Sequence, residues 1–147
     1  MQGTAEFIAK SKVKSAAQIV NGAAIVEDVS LVFNAFGGLP GPYIKDFMTN
    51  VGNSGLVKML DKFEDKTAYA QCIYAFCESP KSEPVIFVGR CKGKIVTSRG
   101  DNAFGWDPIF QPDGFAKTFA EMSSEEKNSV SHRNEALKHV KKFLVDN

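Results

Sequence analysis

The chain has 147 residues, of which 44% are hydrophobic, and this size and composition predict a single folded domain over residues 1–147 rather than a disordered chain. Its 18 basic and 17 acidic residues give a net charge of +1, which argues against general nucleic-acid binding, so any cluster of cations must be local. No apolar run is long enough to span a membrane and the first six residues carry no apolar signal region, so we expect a cytoplasmic protein.

The first third of the sequence predicts a helix followed by a short strand. Small and apolar residues recur at helical spacing through residues 5–21, and Asn21-Gly22 is a typical helix end because glycine tolerates the left-handed conformation. The apolar residues 23–26 then meet Glu27-Asp28, so we expect a buried strand that ends at these two acids. The glycine- and proline-rich residues 34–42 exclude regular structure.

The middle of the chain predicts two short helices and then a group of strands. Pro42 can open a helix over residues 43–49, and Ser54 can cap a second one. We expect strands at Thr67–Cys77, Pro84–Arg90, Lys94–Thr97 and Asp107–Gln111, with the second and third joined as a hairpin at Cys91-Lys92-Gly93.

The C-terminal part predicts two further helices. Ser123 and Glu126 have the spacing of a capping box, and the last helix runs from about His132 to Leu144. Helices at both ends of a group of strands predict an α/β fold, with a mixed twisted sheet flanked by helices and two lobes around a cleft. The three cysteines lack metal-binding spacing and are expected to be reduced and buried.

Glu27-Asp28 has two interpretations. Acids at a strand end are commonly just solvated. The functional interpretation is a site for a hard metal such as Mg²⁺, which is usually held by one or two protein carboxylates together with substrate phosphates. Because neighbouring strand residues point to opposite faces, we expect only one of the two acids to enter the cleft. That acid could bind the metal or orient an attacking water.

The run Phe104-Gly105-Trp106-Asp107 predicts a site for a nucleotide base. A purine could stack on Phe104 or Trp106, while the backbone near Gly105 and the Asp107 carboxylate read its edge. The competing interpretation is two core aromatic residues that flank a turn.

A second polar group, Ser131-His132-Arg133, lies at the expected start of the last helix. Helix N-termini favour anions and polar base edges, whereas a plain capping residue and a surface cation are the alternative interpretation. A Ser/His nucleophile is disfavoured because no Gly-x-Ser-x-Gly motif is present and adjacent helical residues do not face each other. Lys45 follows a glycine-rich run that lacks the known phosphate-loop patterns, so by itself it predicts little.

Several motifs in the same order make the chain resemble the inosine triphosphate pyrophosphatases, and in particular their eukaryotic branch. The resemblance runs from about Lys12 to the C-terminus. The stretches that carry it are Val26-Glu27-Asp28, residues 33–45 (FNAFGGLPGPYIK), Phe104-Gly105-Trp106-Asp107-Pro108, residues 110–114 (FQPDG), Glu126-Lys127-Asn128 and Val130-Ser131-His132-Arg133.

The resemblance implies an activity and its cofactor. It implies that ITP, dITP and XTP are cleaved between the α- and β-phosphates to a monophosphate and pyrophosphate, with Mg²⁺, or Mn²⁺ in its place. It also implies a homodimer, while the net charge and the absence of a long apolar run predict that the protein binds neither nucleic acid nor membrane.

The resemblance also implies roles for individual residues. Asp28 becomes the metal-binding or water-activating acid, with Glu27 beside it as a further metal ligand. The phosphate and ribose contacts become Lys12, with Lys14 as the alternative, Lys45 and Lys127. Phe104, Gly105, Trp106 and Asp107 form the base pocket with Phe104 stacking, and Ser131, His132 and Arg133 read the six-position oxygen.

Two features depart from the family pattern. The family's opening strand and its Thr/Ser-Gly-Asn-x-x-Lys loop have no counterpart in this sequence, and Val29 stands where relatives of this branch carry threonine. A sheet without that strand would expose the edge of its neighbour. The departures predict an N-terminally shortened form, and they set an active pyrophosphatase against an impaired form that binds nucleotide or dimerises without efficient turnover.

Overall fold

The computed structural model describes residues 2–101 and 104–146, and it builds them into four α-helices and five strands. The helices are α1 (Ala5–Val20), α2 (Ile44–Met59), α3 (Ser124–Val130) and α4 (His132–Asp146). The strands are β1 (Ala24–Phe33), β2 (Pro40–Gly41), β3 (Thr67–Cys77), β4 (Val85–Ile95) and β5 (Phe110–Pro112). No helix among the described residues has the length and apolar character that crossing a bilayer requires.

One sheet organises the fold, with strand order β2-β1-β3-β4-β5. The expectation that residues 34–42 exclude regular structure is wrong, because Asn34–Phe36 forms a 3₁₀ turn and Pro40–Gly41 pairs with β1 as the edge strand β2. The predicted α/β class with flanking helices is confirmed. The expected parallel component is absent from the described strands, because each of the four pairings is antiparallel. Antiparallel neighbours such as β3 and β4 need only a short connection, whereas parallel neighbours need a long crossover.

The long central strand β3 corrects two predicted strand boundaries. It pairs with β1 from Ala24 to Phe33, so β1 continues through the two acids and does not end at them. It pairs with β4 from Val85 to Lys94, so the two strands expected at residues 84–90 and 94–97 are one strand. A run that looks short by composition is extended when a long neighbour supplies ladder hydrogen bonds along its whole length.

Gly93, which indicated a hairpin in the sequence, instead permits a close approach of two strands. A Cβ at this position would lie 2.4 Å from the carbonyl oxygen of Gln111, on the neighbouring strand β5. The strand expected at residues 107–111 is correspondingly shorter, because Asp107–Ile109 forms a 3₁₀ turn that leads into β5.

The helix predictions hold with changes at their ends. Thr4 caps α1 by accepting a hydrogen bond from the amide of Phe7, and Asn21, with φ of 52°, ends it. The two helices expected after Pro42 are continuous except for a break at Gly52, where φ is 66° and ψ is −179°. The capping box of Ser123 and Glu126 is confirmed at the start of α3.

Two helices cover the two faces of the sheet. Helix α1 buries Ala9, Val13 and Ala17 in a cluster with Ile73 of β3 and Val88 of β4. Helix α4 packs against the opposite face, because its first turn lies on Gly89, which follows Val88 along the strand. The second cluster is formed around Phe33, Leu56, Trp106, Phe110 and Phe119 and contains no residue of α1. The three cysteines are buried and reduced, as predicted.

The close contact at Gly89 generates a stability prediction. A Cβ added there would lie 2.2 Å from the carbonyl oxygen of His132 and 2.3 Å from the amide nitrogen of Ala136. Because both atoms belong to the backbone of α4, the helix would have to move. We expect Gly89→Ala to lower the free energy of unfolding in urea by about 1–3 kcal/mol.

The matched control is Gly22→Ala, because the nearest atom to a Cβ at Gly22 would be 3.9 Å away. Equal losses of unfolding free energy in the two variants would contradict the close packing of α4 against Gly89.

Candidate active site

A cleft of about 750 Å³ brings together every predicted site residue except Ser131. It is bordered by α1, β1, the start of α2, the loop before β5, α3 and the start of α4. The predicted residues that line it are Lys12, Glu27, Asp28, Lys45, Phe104, Gly105, Trp106, Asp107, Lys127, His132 and Arg133. The further lining residues are Val29, Pro42, Ile44, Asp46 and Met48.

The expectation that only one of the two acids enters the cleft is wrong. Glu27 and Asp28 do point to opposite faces of β1, since Glu27 bonds a residue of α4 and Asp28 a residue of α1. Both nevertheless line the cleft. Among the described residues, β1 pairs with β2 only at Leu31 and Val32, so residues 24–30 have a strand partner on the β3 side alone. The cleft lies at this open edge and therefore reaches both faces.

Asp28 is buried, and only one of its two carboxylate oxygens accepts a hydrogen bond from the described residues. Its Oδ1 accepts a hydrogen bond from Lys12 Nζ at 2.8 Å, and its side chain is 10% exposed. Its Oδ2 is buried without a hydrogen-bond partner in the parts of the chain that the structure describes. Lys14, the alternative to Lys12, lies away from the cleft with its Nζ 4.0 Å from Glu83. A carboxylate oxygen without a donor is suited to face a cation or a water.

Glu27 forms a three-membered polar cluster with Arg133 and Tyr74. Arg133 donates from Nε to Oε2 at 3.0 Å and from Nη2 to Oε1 at 3.1 Å, and the Tyr74 hydroxyl donates to Oε2 at 2.5 Å. Partial burial by itself raises the pKa of Glu27, but the hydrogen bonds from Arg133 and Tyr74 and the Arg133 charge outweigh it and hold the pKa below its usual value. The carboxylate is therefore ionised at neutral pH.

The aromatic run splits into an exposed ring and a buried one. Trp106 is 8% exposed and lies with its ring centroid 5.6 Å from that of Phe110 and 6.2 Å from that of Phe119. Phe104 is 68% exposed and borders the cleft. Of the two rings considered for stacking, Phe104 presents the accessible face, while Trp106 belongs mainly to the core.

Asp107 and Lys127 form a second carboxylate–cation pair in the cleft. The distance from Lys127 Nζ to Asp107 Oδ2 is 2.5 Å, and the Asp107 side chain is 6% exposed. Lys127 Nζ also lies 5.9 Å from the ring centroid of Phe104 and 5.4 Å from that of Phe119. These contacts fix the ammonium group beside the exposed ring.

His132 is buried and uncharged at neutral pH. It stacks on Phe119 with ring centroids 6.1 Å apart and an interplanar angle of 16°. Burial, and then the positive charges of Arg133 and Lys127, lower the pKa of His132 to about 4. A neutral imidazole offers one N–H donor and one acceptor. Its Nδ1 is buried without a partner among the described residues.

Two predicted residues have environments that differ from the rest. Ser131 is buried behind the cleft, and its Oγ accepts a hydrogen bond from the amide of Asn134, so it caps α4. Lys45 lines the cleft on α2, and within residues 2–101 and 104–146 its ammonium group forms no ion pair. Of the lysine and arginine residues that line the cleft, Lys45 is thus the one without an ion pair among the described residues.

Two residues that the sequence did not single out support the site. Tyr74 reaches Glu27 because the two residues are register partners on β3 and β1. Asn53, next to the break in α2, donates from Nδ2 to the carbonyl oxygen of Gly105 at 3.0 Å and so ties α2 to the aromatic loop. Neither contact could be predicted from the sequence, since one depends on strand register and the other on the packing of α2 against the aromatic loop.

Chemically, the cleft combines an exposed aromatic face, several fixed cations and one half-free carboxylate. Over the described residues, no three His, Cys, Asp or Glu side chains gather in a group that could hold a metal ion by themselves. A divalent ion at Asp28 would therefore take further ligands from water or from a bound molecule, and Mg²⁺ commonly binds in this way together with phosphates.

Comparison with known sequences gives a consistent result. The model of the Ham1 family matches residues 1–143. The inosine triphosphate pyrophosphatase of Candida albicans is 52% identical over 145 residues, which are 99% of this chain and 72% of that protein. The proteins of the same name from Giardia intestinalis and Scheffersomyces stipitis are 52% and 54% identical, and the chain covers 76% and 75% of them.

Solved structures agree with the sequence matches. The Ham1 protein of Staphylococcus aureus superposes with a TM-score of 0.89 at 30% identity, over 99% of this chain and 79% of that one. A HAM1 protein from Coxiella burnetii gives a TM-score of 0.93 at 28% identity, over 100% and 79% of the two chains.

The buried His132 generates a pH prediction. Its pKa is about 4 in the folded protein and about 6.5 when exposed, so between these values the unfolded chain binds a proton that the folded chain does not. Stability is therefore complete above pH 6.5 and is lost as the pH falls toward 4. We expect His132 to contribute on the order of 2 kcal/mol to the loss of unfolding free energy between pH 7 and pH 5.

The measurement is urea denaturation at both pH values for the wild type and His132→Asn. The variant should lose less stability than the wild type over this interval. The same loss in both proteins would mean that His132 is not the group responsible.

Proposed function

The chain belongs to the Ham1 family, and on this premise we propose that it is a nucleoside triphosphate pyrophosphatase that hydrolyses ITP, dITP and XTP to the monophosphate and pyrophosphate. Its role would be to remove deaminated purines from the nucleotide pool. The observation that carries the proposal is the cleft itself, in which an exposed aromatic ring, fixed cations and the half-free Asp28 carboxylate line one cavity.

Base selection is assigned to the two walls of the cleft. Phe104 stacks on the purine, and the base edge meets Gly105, Trp106 and Asp107. On the facing wall, the uncharged His132 imidazole and the positively charged Arg133 guanidinium supply N–H donors to the six-position oxygen. A six-amino group would oppose donors with its own hydrogens, which disfavours adenine. Ser131 acts indirectly in this proposal, because its hydroxyl caps the helix that carries the two donors.

Phosphate binding is assigned to Lys12, Lys45 and Lys127. Lys12 and Lys127 are each held by a carboxylate, so their ammonium groups are fixed before a nucleotide arrives. Lys45 lacks such a partner among the described residues, so its ammonium group can pair directly with the triphosphate. Preorganised cations lower the cost of developing negative charge on the leaving pyrophosphate.

Asp28 is the residue to which we assign the metal. Its buried Oδ2 without a donor fits a divalent ion, with Mg²⁺ proposed and Mn²⁺ as an alternative, completed by phosphate oxygens. When bound, the ion supplies Lewis-acid activation of the phosphate. Lys12 keeps the carboxylate oriented through Oδ1. Glu27 is the expected second ligand, but both of its carboxylate oxygens accept hydrogen bonds from Arg133 or Tyr74. These bonds support Asp28 over Glu27 as the direct metal ligand.

Assembly and location follow the family expectation. We propose a homodimer, and a cytoplasmic location suits three reduced cysteines. The alternative, a form that binds nucleotide without efficient turnover, is less well supported, because Lys12, Asp28 and Lys45 line the same cleft as the base site.

Turnover is tested by Asp28→Asn, assayed for pyrophosphate release from ITP with Mg²⁺. We expect kcat to fall about 100-fold or more, because an amide can neither hold a divalent ion firmly nor accept a proton. The control is Asp61→Asn, the same change at an exposed position outside the cleft. Wild-type activity on ITP no higher than on ATP would contradict the proposed function.

Base stacking is tested by Phe104→Ala. Loss of one stacking ring costs about 1–3 kcal/mol, so we expect KM for ITP to rise roughly 5- to 150-fold with little change in melting temperature. Phe7→Ala removes a similarly exposed ring, 54% exposed, that lies on α1 outside the cleft, and it serves as the control. An unchanged KM for Phe104→Ala would remove this ring from the base site.

A further inference from the structure

The Glu27 carboxylate accepts three hydrogen bonds from two neighbours that lie on different elements. Oε1 accepts from Arg133 Nη2, while Oε2 accepts from both Arg133 Nε and the Tyr74 hydroxyl. Arg133 belongs to α4, and Tyr74 is the cross-strand partner of Glu27 on β3. The contact between Glu27 and Arg133 joins residues that are 106 positions apart in the chain.

The pairing leaves one end of the arginine available. Glu27 binds the Nε and Nη2 side of the planar guanidinium in a bidentate manner, which fixes its rotation as well as its position. The two hydrogens of Nη1 and the second hydrogen of Nη2 have no partner in the ranges 2–101 and 104–146. The Arg133 side chain is 45% exposed and lines the cleft, so these N–H groups can face a bound base.

Tyr74 contributes to this arrangement without lining the cleft itself. Its hydroxyl has a single proton, which it donates to Glu27 Oε2, and burial, followed by the hydrogen bond to Glu27 and the Glu27 charge, raises the pKa of Tyr74 above its ordinary value. The phenol therefore stays protonated and remains a donor over the physiological pH range. Without it, Oε2 would keep only the bond from Arg133, and the Glu27–Arg133 pair could shift as a unit because no group on β3 would hold it.

We infer that Tyr74 is a positioning residue for base selection, which acts through Glu27 to aim the guanidinium of Arg133 at the six-position of the purine. The inference rests on the proposed function, since that function makes Arg133 a reader of this position. A guanidinium has only donors and cannot reverse its polarity. Its preference for a keto oxygen over an amino group therefore depends on where it points, and a loosely held arginine discriminates less.

The test measures binding of IMP and AMP by calorimetry, because binding does not require turnover. The variant is Tyr74→Phe, which keeps the ring and removes the one hydroxyl. We expect the ratio of the two affinities to fall about three- to tenfold, the range for the net contribution of one ordinary hydrogen bond, because the effect reaches the base only through Glu27 and Arg133. Tyr69→Phe is the matched control, since Tyr69 lies on the same strand and packs on Arg90 with the Arg90 Cζ 5.1 Å from its ring centroid.

A double-mutant cycle separates positioning from general structural support. In an Arg133→Lys background the guanidinium is gone, so adding Tyr74→Phe should change the IMP to AMP ratio no further. Glu27→Gln provides a second variant, and it should lower the ratio in the same direction. An unchanged ratio in Tyr74→Phe would overturn the inference. So would an equal effect of Tyr74→Phe with and without Arg133.

The outcomes also distinguish this inference from the proposed function. A wild-type chain that prefers IMP in a Tyr74-dependent manner but does not hydrolyse ITP would refute the activity and leave the role of Tyr74 standing. A chain that hydrolyses ITP, with an IMP preference that ignores Tyr74, would refute the inference alone. A wild-type chain with no preference for IMP over AMP would overturn the inference together with the assignment of Arg133.

Discussion

The site depends on the alternation of side chains along one strand. Glu27 and Asp28 are consecutive in β1, so one carboxylate leaves each face of the sheet, and a different helix supplies the cation on each face. Lys12 comes from α1 and Arg133 from α4, two helices at opposite ends of the chain. Because the cleft lies at the open edge of β1, both carboxylate–cation pairs face one cavity, although they lie on opposite faces of the sheet.

This arrangement divides the work between two adjacent acids. Glu27 has no oxygen without a hydrogen-bond donor and serves to hold Arg133, whereas Asp28 keeps one buried oxygen for another partner. Most cations of the cleft are already paired with carboxylates, so a nucleotide meets groups that are fixed in place and loses little free energy to ordering them. Lys45, unpaired among the described residues, is left to supply net attraction for a triphosphate.

The fold class and most residues that line the cleft could be predicted from the sequence, because they depend on residue type, order and periodicity. The aromatic loop and Lys127 needed only their residue types and order, and the α/β class and most helices needed only periodicity. Strand lengths could not be predicted, since β1 and β4 extend along β3 and their own composition does not mark their ends. The roles of Tyr74 and Ser131 were also hidden, because one depends on strand register and the other on the turn between α3 and α4.

The central claim is that the two walls of the cleft read one purine, and a crystal structure of the chain with IMP tests it most directly. The account predicts the base stacked on Phe104, with its six-position oxygen within hydrogen-bond distance of Arg133 or His132 and with the pair of Glu27 and Arg133 intact. A base bound elsewhere, or an Arg133 that leaves Glu27 to reach it, would contradict the account.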